Sequence, residues 1–441
     1  MSQLSAHAIE RAVRLSYAQA MFASVYIAST GGMFIIGYAL KLGATDVQLG
    51  LMSTIPMLAV VTQLLASAFI ERGASRRRMT ILSSMLNVSG WTLIILLPYV
   101  MAGASADARI GALIAVITLV TIFAHMAGNA RGSWVGDLIP EERRGMFFGK
   151  MIMYSGIIGA VFAVIEGAFL DHVKRMGIGA FSWLFGFGMV FGLVTAALFI
   201  PQSDVEAERH SAGGNLPRLI RETLRNRALV VVMAYAFLWG LQAIAAPFFA
   251  AYVLRDLKVP FLGLGVVNSM ITIALLASSP FWGRIIDRYG CRPVLMACTG
   301  CIAPVPLMWI WVTSPQAFYW VVGPVNLLVG FAIGGVSVAL STLIYKVTPS
   351  AGRSAQLAVY ATVVVMLAAP MPMIGGHLPA WLVSLGIHAD LRCTFYACGL
   401  FAAVAAFVSR YIKEPGSRDT SELISNLPGH IRRPGTLKKE D

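Results

Sequence analysis

The chain has 441 residues, 57% of them hydrophobic and 12% charged, with a formal net charge of +13. Soluble domains carry about 25% charged residues, so this composition excludes an ordinary water-soluble domain and points to lipid as the solvent. The basic residues sit in short clusters between apolar runs and form no stripe interleaved with aromatics, which excludes nucleic acid as a partner.

Residues 1–16 are polar, with Arg11 and Arg14, and no secretory cleavage segment follows them. Crossing the hydrocarbon core takes about 20 apolar residues. Twelve runs meet that length, at 17–40, 47–70, 79–101, 109–136, 146–170, 180–200, 228–254, 261–284, 293–313, 317–345, 355–385 and 392–412. The polar stretch 201–227 contains Gly213-Gly214 and Pro217 and is expected to link an N-terminal six-helix bundle (1–200) to a C-terminal one (228–412). Residues 413–441 are polar and Pro/Gly-containing, and are expected to form a disordered cytoplasmic tail. The fold class expected is therefore an all-α membrane protein of twelve transmembrane helices in two pseudo-symmetric bundles.

Twelve spans place both termini on one side, and the basic residues say which. The side holding the termini carries 26 Lys and Arg against 7 on the other, with Arg131 alone inside a span. That asymmetry predicts cytoplasmic termini, as in a bacterial inner membrane or an equivalent cellular membrane.

The loops repeat. A shift of 216 residues lays Ser67-x-x-x-Glu71-Arg72-x-x-x-Arg76 on Gly283-x-x-x-Asp287-Arg288-x-x-x-Arg292. A shift of 209 lays Pro140-x-x-x-Arg144 on Pro349-x-x-x-Arg353. Near-equal offsets mean that the halves are structural copies, and parallel repeats around a central pathway are a transporter architecture.

On these residues the chain resembles the major facilitator superfamily. The second-half loop, Gly283-Arg-Ile-Ile-Asp287-Arg288-Tyr-Gly290-Cys-Arg292, is similar to that family's Gly-x-x-x-Asp-Arg-x-Gly-Arg-Arg pattern. The first-half copy departs from it, with Ser67 for the glycine and Glu71 for the aspartate. The stretch Asp137-Leu-Ile-Pro140-Glu-Glu-Arg-Arg144-Gly145 resembles the family's Asp-x-x-Pro-x-x-x-Arg-Gly loop. Two features of the family's proton-coupled drug exporters are missing: Ile117 stands where they carry an arginine in span four, and Val161-Phe162-Ala163 lacks their Gly-Pro pair. The resemblance implies a secondary transporter working by alternating access, without a drug–proton exchange signature.

The loop charges suggest gating. Glu71, Arg72, Asp137, Arg144, Asp287, Arg288, Arg292 and Arg353 are expected to pair across helix ends and close the cytoplasmic side in the outward-open state. The competing reading is of solvated loop charges, which contribute little when exposed.

Charged groups at membrane depth are costly and are functional candidates by default. Glu166 lies sixteen residues from Lys150, about 24 Å along a helix, in the outer part of span five. It is expected to carry a proton or bind a cationic group, unless it is a hydrated carboxylate near the surface. Arg131, nine residues before Pro140, is read either as a clamp for an anionic solute or as a structural partner of Asp137. His125, six residues before Arg131, is either a hydrogen-bonded packing residue or a proton relay.

In the family's fold, spans one, four, seven and ten line the cavity. The resemblance therefore implies a substrate site drawn from Tyr26, His125, Asn129, Arg131, Trp239, Gln242 and Asn326, with Thr30, Tyr38, Tyr235, Ser337 and Ser341 on the same spans. The partner implied is a small polar or amphipathic solute with a proton or other coupling ion.

Cys298-x-x-Cys301 has redox spacing but lies in an apolar run without further ligands, and reads as packing. The Met366, Met371 and Met373 group reads likewise. No phosphate-binding loop, activated serine or His/Glu metal cluster is present, so neither an enzyme nor a cofactor is expected. The remaining alternative is a non-transporting scaffold or sensor built on the same fold.

Overall fold

A computed structural model describes residues 6–138, 141–202, 221, 223–348, 353–414 and 416–432. Most of the 201–227 linker, and residues 433–441, lie outside the described residues. Among the described residues twelve helical stretches are long and apolar enough to cross a membrane. They are Glu10–Leu42, Asp46–Ile70, Arg76–Val100, Ala106–Val135, Met146–His172 and Gly179–Ala197, followed by Arg227–Asp256, Phe261–Tyr289, Cys291–Ile310, Pro315–Val347, Val359–Ser384 and Arg392–Tyr411. These are spans one to twelve. Helices are the expected solution in lipid, because each backbone group finds its partner within its own segment.

The chain divides into two compact units. The first comprises Met1–Ala212 with Ala250–Ser269, and the second Gly213–Phe249 with Met270–Asp441. The end of span seven and the start of span eight thus group with the first six spans, which a boundary drawn at the linker does not anticipate.

In the first unit, span two starts on a reciprocal cap. The Thr45 hydroxyl accepts from Gln48 N, and Gln48 Oε1 accepts from Thr45 N. Pro56 lacks an N–H, and the helix tightens to a 3₁₀ turn at Ala59–Val61 just beyond it. Tyr38, Trp91, Phe181 and Phe185 form an aromatic core, and the Tyr38 hydroxyl donates to Ile94 O at 3.0 Å. Small residues set the close approaches, as membrane packing requires. A Cβ on Gly192 would lie 2.8 Å from a Val88 methyl, and one on Gly167 would lie 2.7 Å from Phe261 O.

Span one is two helices, Ala6–Thr30 and Gly32–Leu42, divided at Gly31. Gly31 is extended and Gly32 has φ of 52°. No apolar pattern in the sequence marks that break.

In the second unit, spans eight, nine and ten meet on glycines. A Cβ on Gly330 would lie 2.3 Å from Ile271 O, and one on Gly335 would lie 2.5 Å from Cys298 Sγ. Cys298 is accordingly a core residue, packed with Trp282, Val294 and Val336. Span seven is interrupted twice, by a 3₁₀ turn at Leu241–Ala245 and a π turn at Tyr252–Asp256.

The tail corrects one expectation. Residues 413–441 were expected to be disordered, yet Thr420–Arg432 is a helix. Its Leu423 is fully buried in the core cluster that holds Tyr289, Cys291 and Ile412. Overall polarity hides this anchor, which among the described residues consists of Leu423 and the buried Thr420, whose hydroxyl lies 3.5 Å from Met296 Sδ.

Candidate functional site

The polar residues of the first unit fall into separate groups. Tyr26, on span one, donates through its hydroxyl to Asn87 Oδ1 at 2.9 Å and meets Trp91 edge-on. Asn87 in turn donates to Val120 O at 2.7 Å. His125 and Asn129 stand one turn apart on span four and face span two. The Gln63 amide nitrogen lies 3.0 Å from His125 Nδ1, and Asn129 Nδ2 donates to Gln63 O at 2.6 Å and Ser67 Oγ at 2.9 Å. An amide nitrogen only donates, so Nδ1 accepts and the ring hydrogen sits on Nε2.

Arg131 faces elsewhere. Its guanidinium donates to Met151 Sδ at 3.7 Å, and its Cζ lies 5.7 Å from the centre of the Phe199 ring. Two residues on from Asn129, it has turned about 200° around the helix axis. The structure therefore brings His125 and Asn129 together with Gln63, and places Arg131 against spans five and six. No carboxylate contacts Arg131 among the described residues.

Glu166 is buried, at 2% exposure, beside fully buried Ser29 of span one. The Ser29 hydroxyl lies 2.5 Å from Glu166 Oε1 and 2.9 Å from Val25 O. Oε2 has no hydrogen-bond partner among the described residues. The carboxyl is therefore not a hydrated surface group, which settles one of the two sequence readings against it.

In the second unit, Gln242 sits in the 3₁₀ interruption of span seven. Its Nε2 donates to Trp239 O at 3.2 Å, and Cys398 Sγ donates to its Oε1 at 3.6 Å. Asn326 is buried on span ten, and Trp239 is half-buried against the core cluster. The buried Tyr235 hydroxyl pairs with Thr299 Oγ1 at 2.7 Å.

Of the loop charges, Arg72 and Asp287 are exposed, and no ion pair to Asp287 is found among the described residues. Arg288 Cζ lies 5.7 Å from the Tyr289 ring centre. The side chains of Glu71, Asp137, Arg144 and Arg353 lie outside the described residues. Two motif positions act as structure. Arg76 is buried and donates to Ser133 O at 3.1 Å, joining the start of span three to span four. Gly290 has φ of 92°, and a Cβ there would lie 2.9 Å from Ser417 Cβ and 3.1 Å from Glu414 Oε2.

Glu414 is a residue that sequence reasoning missed. Its Oε2 accepts from Cys291 N at 2.7 Å and Arg292 N at 2.9 Å, capping span nine, and its Oε1 pairs with Lys346 Nζ at 2.8 Å. Burial pushes its pKa up, but the Lys346 ammonium and the Arg292 N–H outweigh that and hold it below the usual carboxylate range. The capped helix also favours a negative charge at its N-terminus. Ser29, Gln63 and Asn87 were missed too. Each is a small polar residue in an apolar run, with a partner more than thirty positions away.

Twelve apolar helices, an internal repeat and polar groups held inside the spans define an integral, multi-pass membrane protein of transporter type. The chain belongs to the Major Facilitator Superfamily, which it matches over residues 18–371 and 231–435. No curated protein matches it. Among solved structures, it is similar to a mutant of the nucleoside transporter NupG, with a TM-score of 0.70 at 12% identity over 91% of this chain and 100% of that one. It is also similar to a POT family transporter in complex with a thioalcohol-conjugated peptide, with a TM-score of 0.67 at 16% identity over 92% and 96%. A bacterial homologue of the human lysosomal transporter Spinster gives 0.64 at 13% identity over 94% and 100%. These likenesses establish the fold.

Proposed function

We propose that the protein is a secondary active transporter that moves a small polar or amphipathic solute bearing an anionic group by alternating access. Arg131 is the observation that carries this reading. Arg131 lies within span four, four residues from its end at Val135, and a charged side chain inside a span is costly and a functional candidate by default. The neighbours described for Arg131, a thioether and a phenyl ring, do not neutralise it. Such a group is suited to a carboxylate or phosphate that arrives with the solute and takes a two-pronged bond. Tyr26, Trp239, Gln242 and Asn326 supply the remaining polar contacts in this proposal, whereas His125 and Asn129, which bond to Gln63 and face away from Arg131, are left out of it. Small polar or amphipathic solutes fit what the solved neighbours handle, since these include a nucleoside transporter and one bound to a peptide conjugate.

Glu166 is the proposed proton-coupling group, because among the described residues of the first unit it is a buried carboxyl that keeps one oxygen unpartnered. The proposed gate consists of the loop charges Glu71, Arg72, Asp137, Arg144, Asp287, Arg288, Arg292 and Arg353 on the cytoplasmic side.

The test is flux. Purified protein in proteoliposomes is offered a panel of labelled anionic, neutral and cationic solutes, with and without a pH gradient. The proposal predicts protein-dependent movement of anionic members that responds to the gradient. Movement confined to cationic members would contradict the anion site, and no movement of any member would favour the scaffold reading.

A further inference from the structure

Ser29 has one hydroxyl hydrogen and two acceptors within reach, Val25 O at 2.9 Å and Glu166 Oε1 at 2.5 Å. Only one of them can receive it at a time. If the hydrogen points at Val25 O, the short contact with Glu166 requires the carboxyl to carry its own proton and donate to Ser29 Oγ. If Glu166 is ionised, Ser29 must turn its hydrogen to Oε1, and Val25 O loses its side-chain donor. The arrangement in which Ser29 donates to Val25 O is therefore open only when Glu166 carries its proton on Oε1.

The position of Ser29 makes that choice consequential. It lies two residues before Gly31, in the last turn of the first half-helix of span one. Side chains that bond back to the carbonyl four residues earlier bend helices, and both residues ahead of the break do so: Ser29 to Val25 O, and Thr30 to Tyr26 O at 2.6 Å. Ser29 cannot relax sideways. A Cβ on Gly188 of span six would lie 2.5 Å from Ser29 Cβ and 2.9 Å from its Oγ, so that glycine presses directly on it. The second half-helix is held at the same place, because Met33 Cε lies 3.2 Å from where a Cβ on Gly265 would be, beside Ala163 O of span five.

Other ionisable groups do not supply the switch. Span six and the described part of span eight before Arg284 contain no ionisable residue. The second half-helix of span one carries only Tyr38 and Lys41, and the first half-helix carries His7, Glu10, Arg11, Arg14, Tyr17 and Tyr26. On span five the nearest is Asp171, whose oxygens accept from Phe261 N at 3.1 Å and Leu262 N at 2.8 Å.

We propose that Glu166 and Ser29 form a proton-operated latch on the break in span one. Protonated, the carboxyl donates to Ser29, which donates to Val25 O and keeps the bend ahead of the break. On deprotonation the proton passes to water entering the site, Ser29 turns to the carboxylate, and the bend at Val25–Thr30 relaxes. Oε2, unpartnered in the closed arrangement, then gains a donor from water or from the amides exposed at the break. The latch deepens the proposed proton role of Glu166 by saying what the proton moves.

The test uses the full-length protein in lipid nanodiscs, at acidic and alkaline pH. Two signals are read: the infrared band of a protonated carboxyl, and deuterium uptake of the segment 25–34 corrected for the intrinsic effect of pH. In the wild type the band should disappear on alkalinisation while corrected uptake changes about fivefold, the effect of one hydrogen bond made or lost at the bend. Glu166→Gln should lack the titrating band and show uptake independent of pH. Ser29→Ala should keep the band but lose the link between the band and uptake. If Glu166→Gln does not fold, the wild type against Ser29→Ala decides alone. Wild-type uptake that ignores pH, or that Ser29→Ala leaves pH-dependent, overturns the latch. A working latch in a protein whose flux ignores a pH gradient supports this inference and contradicts proton coupling. Gradient-driven flux with no change in band or uptake does the reverse.

Discussion

At the scale of single residues, Arg131 and Asp287 carry the sharpest expectations. Arg131→Lys keeps the charge but removes the two-pronged geometry, so flux of the anionic solute should fall about tenfold or more while folded yield holds. If Arg131 instead serves as a structural partner of Asp137, Arg131→Ala lowers folded yield and the double change with Asp137→Ala restores it. Expression and flux measured on the same variants separate the two. Asp287→Asn should raise cytoplasmic cysteine accessibility near Gly283, because a gate carboxylate acts only in the state it closes. Unchanged accessibility with normal yield would make the exposed Asp287 a solvated loop charge. Sequence was enough to single out Arg131 and Glu166, since a charge in an apolar run stands out. Their surroundings were not legible. Ser29 is 137 positions from Glu166, and nothing local couples a serine in one span to a glutamate in another.

At the scale of elements, the C-terminal helix Thr420–Arg432 depends on Glu414. That carboxylate is 4% exposed, caps span nine through two N–H groups and pairs with Lys346. Arg418 N then donates to Tyr289 O at 2.9 Å, and its guanidinium lies over the Tyr289 ring, leading into the helix. Hydrogen bonds to a charged group contribute about 1.5–3 kcal/mol each, so Glu414→Gln should loosen the helix without unfolding the spans. The pKa of Glu414 is lowered in the folded state. Its contribution is therefore complete above the ordinary carboxylate range and lost as pH falls through the depressed value. Limited proteolysis of the tail should accelerate in that acidic window, and Glu414→Gln should be cleaved quickly at neutral pH as well. Equal cleavage of wild type and variant at neutral pH would show that Glu414 does not hold the helix. The twelve spans were readable because lipid imposes a length and a composition on each. The break at Gly31 was not, because an apolar run looks the same whether its helix is continuous or divided. The tail helix escaped for the opposite reason, its polar composition masking the buried Leu423 that helps to anchor it.

At the scale of the whole molecule, the repeated loops announced two copies of one bundle, and the family match extends across both. The division of the chain adds that Ala250–Ser269 groups with the first unit, where Arg255 pairs with Asp46 at 2.7 Å and Asp171 accepts from the start of span eight. The orientation proposed from charge asymmetry puts both termini on the cytoplasmic side. A cysteine at Ser211 should resist an impermeant reagent added to intact cells, while one at Ala104 should react, and the reverse pattern would invert the topology. The central claim is that this chain carries an anionic solute across the bilayer on Arg131. Its most direct measurement is uptake of labelled anionic solutes into proteoliposomes containing wild type or Arg131→Lys, at equal reconstituted amounts and with a pH gradient imposed. The account predicts uptake in the wild type that collapses with the gradient and falls about tenfold or more in the variant. Equal uptake by the two proteins, or none above empty liposomes, would contradict it.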